Sequence, residues 1–224
     1  MAERTTTSPP GATRLAGARG RVRRRQARTR EALLAAARAL FASRGLSGTT
    51  IADIAEHADI AIGSFYNYFS TKEELLEALL EAELARQLEQ LKRRQACVQD
   101  PAEKISVAHR HLVRAGRSDP DWAWLLVRLD VPYRAAWSVL GQAAESDLRA
   151  GIEAGRFDVA NPALALNASG GALFAVIQAQ LAGEAGREAD SEHAEGVLRS
   201  FGLDRGEAAE VARRPLPEPA EPAS

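Results

Sequence analysis

Apolar residues return along this chain at intervals of three and four, and no stretch alternates with period two, so the pattern predicts helices throughout and no sheet. Leu33, Ala37, Leu40 and Phe41 share one face of a helix expected over residues 25–43, which Gly45 closes. Behind a capping Thr49 or Thr50, Ile51, Ile54, Ala55 and Ala58 recur at i, i+3, i+4 and i+7, which gathers them on one buried face. Asp59 and Ile60 make a tight turn. A second short helix from Ile62 is expected to set Ile62, Phe65 and Phe69 inward and to leave Ser64, Asn67 and Tyr68 outward. Ser70 or Thr71, three residues ahead of Glu73 or Glu74, carries the capping-box signature of a further helix over residues 72–95. At 1.5 Å per residue that helix is roughly 36 Å long, enough to connect two domains.

Beyond it, Asp100-Pro101, Asp119-Pro120 and Asn161-Pro162 each read as an N-cap followed by proline in the first helical turn. Tyr133, Trp137, Leu140, Ala144 and Leu148 keep helical phase, and Val197 and Phe201 mark a last long helix that Gly202 closes. Residues 161–183 contain no charge over about the length of a bilayer span, but Asn167, Ser169, Gln178 and Gln180 interrupt the run and its Ala and Gly residues contribute little transfer free energy. An uncharged helix of this kind is expected to be buried on all sides, partly by a second copy of the chain, and not in a membrane. The expectation is an all-α protein of about nine helices with a loosely ordered Pro-rich end from residue 207.

Two short helices around a tight turn, the second polar and aromatic, have the layout of a DNA-reading helix-turn-helix, whose outward groups meet base edges and phosphates. Thr-Thr-Ile-x-x-Ile-Ala-x-x-Ala from Thr49, then Gly-Ser-Phe-Tyr-Asn-Tyr-Phe-x-x-Lys-Glu-Glu-Leu from Gly63, resembles the DNA-binding domain of TetR-family transcriptional regulators over residues 28–76. Ala61 stands where that family often has Ser, and Ile62 where it often has Lys, Arg or Pro. The resemblance implies an N-terminal three-helix domain followed by a larger helical ligand-binding and dimerisation domain. The expected division is an Arg-rich disordered arm over 1–24, the helix-turn-helix domain over 25–72, the larger domain over 73–206 and a Pro-rich tail over 207–224. It also implies a homodimeric, cytoplasmic regulator, a repressor released from a palindromic operator by a small apolar or aromatic ligand. The DNA-contacting set is expected to be Thr50, Ala61, Ile62, Gly63, Ser64, Tyr66, Asn67, Tyr68 and Lys72. The alternative is a helical ligand-binding or scaffolding protein that has lost specific DNA reading, as the missing polar groups at Ala61 and Ile62 would suggest.

Charge at first argues against nucleic acid, since 29 basic and 30 acidic residues leave a formal net charge of −1. Its distribution reverses that impression. The first thirty positions hold nine Arg and one acid, Glu3, so they carry +8 and the remainder −9: a basic arm that meets phosphate and an acidic body that stays off it. Cys97 is the sole cysteine, which excludes an intrachain disulfide and a cysteine-based zinc site, and a reducing cytosol follows as the simplest compartment. No residues fall at catalytic spacing, so neither an enzyme nor a cofactor is expected. His109 and His111 lie about 200° apart on a helix and cannot jointly hold a metal, which predicts one buried and one exposed His and no metal site. A ligand pocket is expected among His109, Trp124, Arg128, Tyr133, Trp137, Asn167, Phe174 and Gln178, and a dimer surface among Phe174, Ala175, Gln178, Val197 and Phe201.

Overall fold

The computed structural model describes the fold of residues 11–128 and 132–220, with side chains from 20–127 and 139–220. Ten helices and no strand occur among the described residues: α1 Gly11–Arg44, α2 Ile51–His57, α3 Ile62–Phe65, α4 Lys72–Gln95, α5 Pro101–Ser118, α6 Pro120–Arg128, α7 Pro132–Glu153, α8 Pro162–Leu181, α9 Ala189–Ser200 and α10 Arg205–Arg213. Local chemistry places most of these ends. Asp100, Asn161 and Asp204 accept hydrogen bonds from the first-turn amides of α5, α8 and α10, and Pro follows directly in the first two cases.

The N-terminal layer packs Leu33, Ala37, Leu40 and Phe41 of α1 against Ile54, Phe65, Phe69 and the α4 residues Leu75, Leu76 and Leu79. Arg30 lies over the Phe69 ring, 5.5 Å from its centroid, and covers the open side of that core. The C-terminal body has two apolar clusters. One joins Ile105, Leu148, Phe157, Leu166, Val197, Phe201 and Val211; the other joins Leu84, Leu112, Trp122, Leu126, Leu173 and Ile177.

Both chain ends differ from the sequence reading. α1 starts at Gly11, so the expected disordered arm over 1–24 is helical from residue 11 onward, while residues 1–10 lie outside the described part. No proline follows Pro10 before Arg44, and Ala and Arg are strong helix formers, so the helix nucleated by the packed Leu33 face can propagate backwards through an exposed stretch. At the other end, α10 occupies part of the expected tail and buries Ala208, Val211 and Ala212. The proline-rich segment after it is tied down as well: Arg94 Nη1 donates to the Pro217 carbonyl at 2.5 Å, and the Ala220 amide donates to the Arg93 carbonyl at 3.2 Å.

One close approach sets the geometry of the body. A Cβ built on Gly151 of α7 would stand 2.1 Å from the Phe157 ring, whose edge-to-face partner is Phe201 at 5.6 Å. Gly151→Ala should therefore push Phe157 off its site and destabilise the protein by about 1–3 kcal/mol, read as a lower urea midpoint at unchanged helix content. A midpoint equal to wild type would mean that the ring has room to move.

Candidate nucleic-acid interface and ligand cavity

The helix-turn-helix is held by hydrogen bonds that begin with Thr50. Its hydroxyl accepts from the Asp53 amide at 3.1 Å, and its own amide donates to Asp53 Oδ2 at 2.8 Å, a complete capping box. The Thr50 hydroxyl also donates to Asp53 Oδ2 at 2.6 Å, and this bond first, with the Thr50 amide bond second, holds the Asp53 carboxyl below its ordinary pKa. Thr49 is buried and donates to the Gly45 carbonyl at 2.8 Å. α2 ends where Asp59 adopts a left-handed φ of 54°, with the Ile60 amide returning to the Ala55 carbonyl at 3.0 Å and the Asp59 amide to Glu56 at 3.1 Å. This is the geometry of a Schellman stop, and it fixes the angle at which α3 leaves.

α3 is a single turn, continued by the helical turns of residues 66–68. Ala61, Ile62, Gly63, Tyr66 and Asn67 are exposed; Ile62 and Tyr66, at 51% and 58%, are the large apolar groups on this face. The expectation that Ile62 points inward is corrected: it is the first residue of a one-turn helix and stays about half exposed, outside the N-terminal core. Ser64 and Tyr68, expected outward, are half-buried, and Tyr68 rests against the N-terminal core. Lys72, expected at phosphate, spends its ammonium group on the Leu46 and Thr49 carbonyls at 2.8 and 3.2 Å. A cation at the start of a helix opposes the helix dipole, a sequence sign that this lysine has a partner elsewhere. Arg21, Arg23, Arg24, Arg25 and Arg28 are exposed along α1.

The body contains a partly open cavity of about 100 Å³ lined by α4, α5, α6, α7 and α8, with Phe201 at the end of α9. Leu84, Leu88, Leu91, Leu112, Trp122, Leu126, Leu173 and Phe174 are the larger apolar groups from α4, α5, α6 and α8 in its wall, and its polar members are His109, Asp147 and Ser169. An apolar cavity of roughly 150 Å³ elsewhere accepts benzene, so a space of this size takes at most one small ring. The Ser169 hydroxyl donates to the Leu166 carbonyl at 3.0 Å. His109 Nδ1 and His193 Nε2, on α5 and α9, stand 2.9 Å apart. Burial first and the His193 ring second lower the His109 pKa to about 3, and burial lowers that of His193 to about 4, so both rings are neutral near pH 7. Burial raises the Asp147 carboxyl above its ordinary value, against the opposing charge of Lys104 and a hydrogen bond with Gln95.

Of the pocket residues read from sequence, His109 and Phe174 line this cavity. Trp124 does not: it faces α1 beside Phe41 and Gly45, and Trp122 takes the cavity side of α6. Asn167, whose amide donates to the Ala163 carbonyl at 2.8 Å, and Gln178 lie exposed on α8. Arg128, Tyr133 and Trp137 fall outside the residues whose side chains are described. The expected one-buried, one-exposed histidine pair is also corrected, since His111 is buried and His109 half-buried. Sequence reasoning missed Asp147 and His193. An acid in helical phase with Leu140, Ala143 and Ala144 was a signal for the first; nothing local marks the second.

Val197 and Phe201, expected at a dimer surface, are 4% and 0% exposed, covered from within the chain by Phe157, Leu203 and Val211. α8 is different. By length and composition it could cross a membrane, yet only 22% of its apolar window is buried, and Leu164, Ala168, Gly171, Ala172, Ala175 and Gln178 are exposed along it.

α6 touches both regions. Leu125 belongs to the N-terminal core, while its neighbours Trp122 and Leu126 line the cavity. Asp119 caps α6 through the Trp122 amide at 3.1 Å and also pairs with Arg38 of α1, whose Nε lies 3.4 Å from Glu83 of α4.

Comparison with known proteins gives two family matches: residues 33–79 match the family described as bacterial regulatory proteins, tetR family, and residues 100–214 match the tetracyclin repressor-like C-terminal domain. The HTH-type transcriptional repressor KstR2 of Mycobacterium tuberculosis is 52% identical over 48 residues, which span 21% of this chain and 24% of that protein. The regulator TtgR of Pseudomonas putida is 40% identical over 93 residues, 42% of this chain and 34% of its own length. Each of these matches thus spans about a third or less of the curated relative. Among solved structures, RolR in complex with resorcinol is 36% identical with a TM-score of 0.75, covering 87% of this chain and 99% of RolR. Its ligand-free form superimposes at 0.73. FadR of Bacillus subtilis with stearoyl-CoA, at 18% identity and a TM-score of 0.67, shares the fold, with 76% of this chain and 98% of FadR covered.

Proposed function

The chain belongs to the TetR family of transcriptional regulators, and from that premise we propose that it is a homodimeric, cytoplasmic repressor that leaves a two-fold symmetric operator when a small, largely apolar ligand fills the cavity in its body. The DNA-reading unit in this proposal runs to residue 72, and the remainder, α10 included, is the ligand-binding and dimerising body. Two copies joined through the exposed face of α8 would present two reading heads, which calls for a palindromic or near-palindromic site. The resorcinol carried by RolR is a ligand of the size this cavity takes.

The observation that carries the proposal is the double membership of α6. A ligand between Trp122 and Leu126 competes for the space that sets the position of Leu125, and Leu125 is part of the core on which α1 and α4 rest. The ligand acts by favouring the arrangement whose reading heads no longer match the operator spacing. Arg38, bound to Asp119 on one side and Glu83 on the other, ties the same three helices by charge. Footprinting of the DNA flanking the gene tests the reading: a protected palindrome lost on adding ligand is expected, and no protection at any ligand concentration would favour the scaffolding alternative.

On the operator, the exposed Asn67 is assigned to a base edge and the exposed Tyr66 to phosphate. Asn67→Ala should cost about 1–3 kcal/mol on the operator and much less on random duplex, whereas Tyr66→Phe should weaken both alike. Equal losses on both duplexes for both variants, in a gel-shift titration, would refute the assignment.

A further inference from the structure

The cavity is almost wholly apolar, so its few polar atoms decide what enters. One nitrogen of His109 is already committed, because Nδ1 faces His193 Nε2 at 2.9 Å. That leaves Nε2 as the atom this ring can offer a ligand. Both rings are neutral near pH 7, so the shared proton sits on one side or the other. When His109 donates it, Nε2 is a bare acceptor; when His193 donates it, Nε2 carries the proton and donates. A hydroxyl group satisfies both arrangements, since it can donate or accept. A carboxylate satisfies only the second, and an ammonium group only the first.

Charge narrows the class further. Asp147 adds a carboxyl to the wall, and its partners are already present in Lys104 and Gln95. An anionic ligand would meet that carboxyl in a low-dielectric site, where like charges are costly, and His109 resists taking the proton that would offset it. We propose that the His109–His193 pair is the specificity-determining group of this cavity, and that the ligand it selects is a hydroxylated aromatic ring without negative charge. This rests on the reading of the cavity as the regulatory site. His109 contacts the ligand; His193 is a positioning residue that holds the ring and fixes which nitrogen remains.

The test uses the full chain and three one-ring probes: resorcinol, toluene and benzoate. Dissociation constants come from calorimetric titration, with tryptophan emission as a second readout because Trp122 is in the wall. Wild type should bind resorcinol about tenfold or more tightly than toluene, because a site built around a polar atom rejects a ligand that leaves it unpaired. Benzoate should bind more weakly than either. His109→Phe should erase the preference by weakening resorcinol about tenfold while leaving toluene unchanged or tighter; His109→Gln, which can still donate and accept, should retain it. His193→Phe should shrink the preference without changing toluene. A merely structural role for the pair would lower all three probes together and overturns the inference, as does a resorcinol preference that survives His109→Phe or an absence of saturable resorcinol binding. Operator release is scored separately. His109-dependent resorcinol binding without release would sink the regulatory reading and leave the inference standing, and release by a compound indifferent to His109→Phe would do the reverse.

Discussion

Glutamate at Ala172 and Ala175 together should convert the protein to a monomer and weaken operator binding by about a hundredfold or more. Both residues are exposed on α8, so within one chain the substitutions add charge to a solvent-facing helix and should change stability by about 0.5 kcal/mol or less each. In the proposed dimer they lie in the seam. The exposed row of Leu164, Ala168, Gly171, Ala172 and Ala175 is small and apolar, which lets two helices approach closely, and four glutamates across such a seam would be desolvated without partners. Each reading head alone binds its half-site weakly, so losing the link loses the effective concentration that the second head supplies. Sedimentation velocity and a gel shift on the same samples decide it. A dimer that survives both charges, or a wild-type protein that sediments as a monomer, places the contact elsewhere. Phe201→Glu is the contrasting control: with Phe201 fully buried against Phe157, that change should unfold the body and not dissociate a dimer.

Both α8 and Phe201 were expected at a dimer surface; the structure leaves much of α8 exposed and buries Phe201, a difference that follows from what each signal reports. An uncharged helix says that its surface must be covered, and the chain covers too little of it. An apolar stripe at Val197 and Phe201 says only that something packs there. The cover, α10, runs into a segment whose prolines suggested a loose tail, though its own nine residues contain none. Helix starts set by one or two side chains were readable nearly to the residue: Thr50, Thr71, Asp100 and Asn161 stand where capping chemistry puts them. Facing was readable only where a helix is long enough for its period to show. Ile62 shares phase with Phe65, yet in a helix of one turn only Phe65 is buried and Ile62 is exposed. On the nine-residue α6, Trp122 and Trp124 face opposite sides, and both sides are used, one by the cavity and one by α1, so periodicity alone could not choose between them. The partner of His109 lies 84 residues away, beyond any local pattern.

Removing the carboxylate of Asp190 should cost roughly 3–5 kcal/mol, because it leaves a buried guanidinium without its charge partner. Asp190 and Arg110 are 3% and 4% exposed, with Asp190 Oδ2 at 3.5 Å from Arg110 Nε and 2.6 Å from Arg114 Nε. Arg110 also donates to the Arg214 carbonyl at 2.6 Å, which carries the tie on to the end of α10. The exposed pair Arg149–Glu145, at 67% and 56%, sets the contrast, and breaking it should cost at most about 1 kcal/mol. Burial raises the Asp190 pKa, but the Arg114 hydrogen bond and the charges of Arg114 and Arg110 outweigh it, so the folded value lies below the ordinary 3.8. A depressed carboxylate pKa stabilises the fold fully above the unfolded value and loses that contribution as pH falls through the folded one. Asp190→Ala should accordingly lower the urea midpoint at pH 7 and narrow its gap to wild type in acid, below about pH 4. Asp190→Ala combined with Arg110→Met should recover much of the loss, since the orphaned charge goes with its partner. The functional consequence follows the chain: His193 is three residues beyond Asp190 on α9, and Arg110 adjoins His109 on α5, so this ion cluster joins the two helices next to the two imidazoles. In the single variant, measured where it is still folded, the preference for resorcinol over toluene should shrink. A urea midpoint within error of wild type would show that Arg110 finds water or another acceptor, and that the pair is held by apolar packing alone.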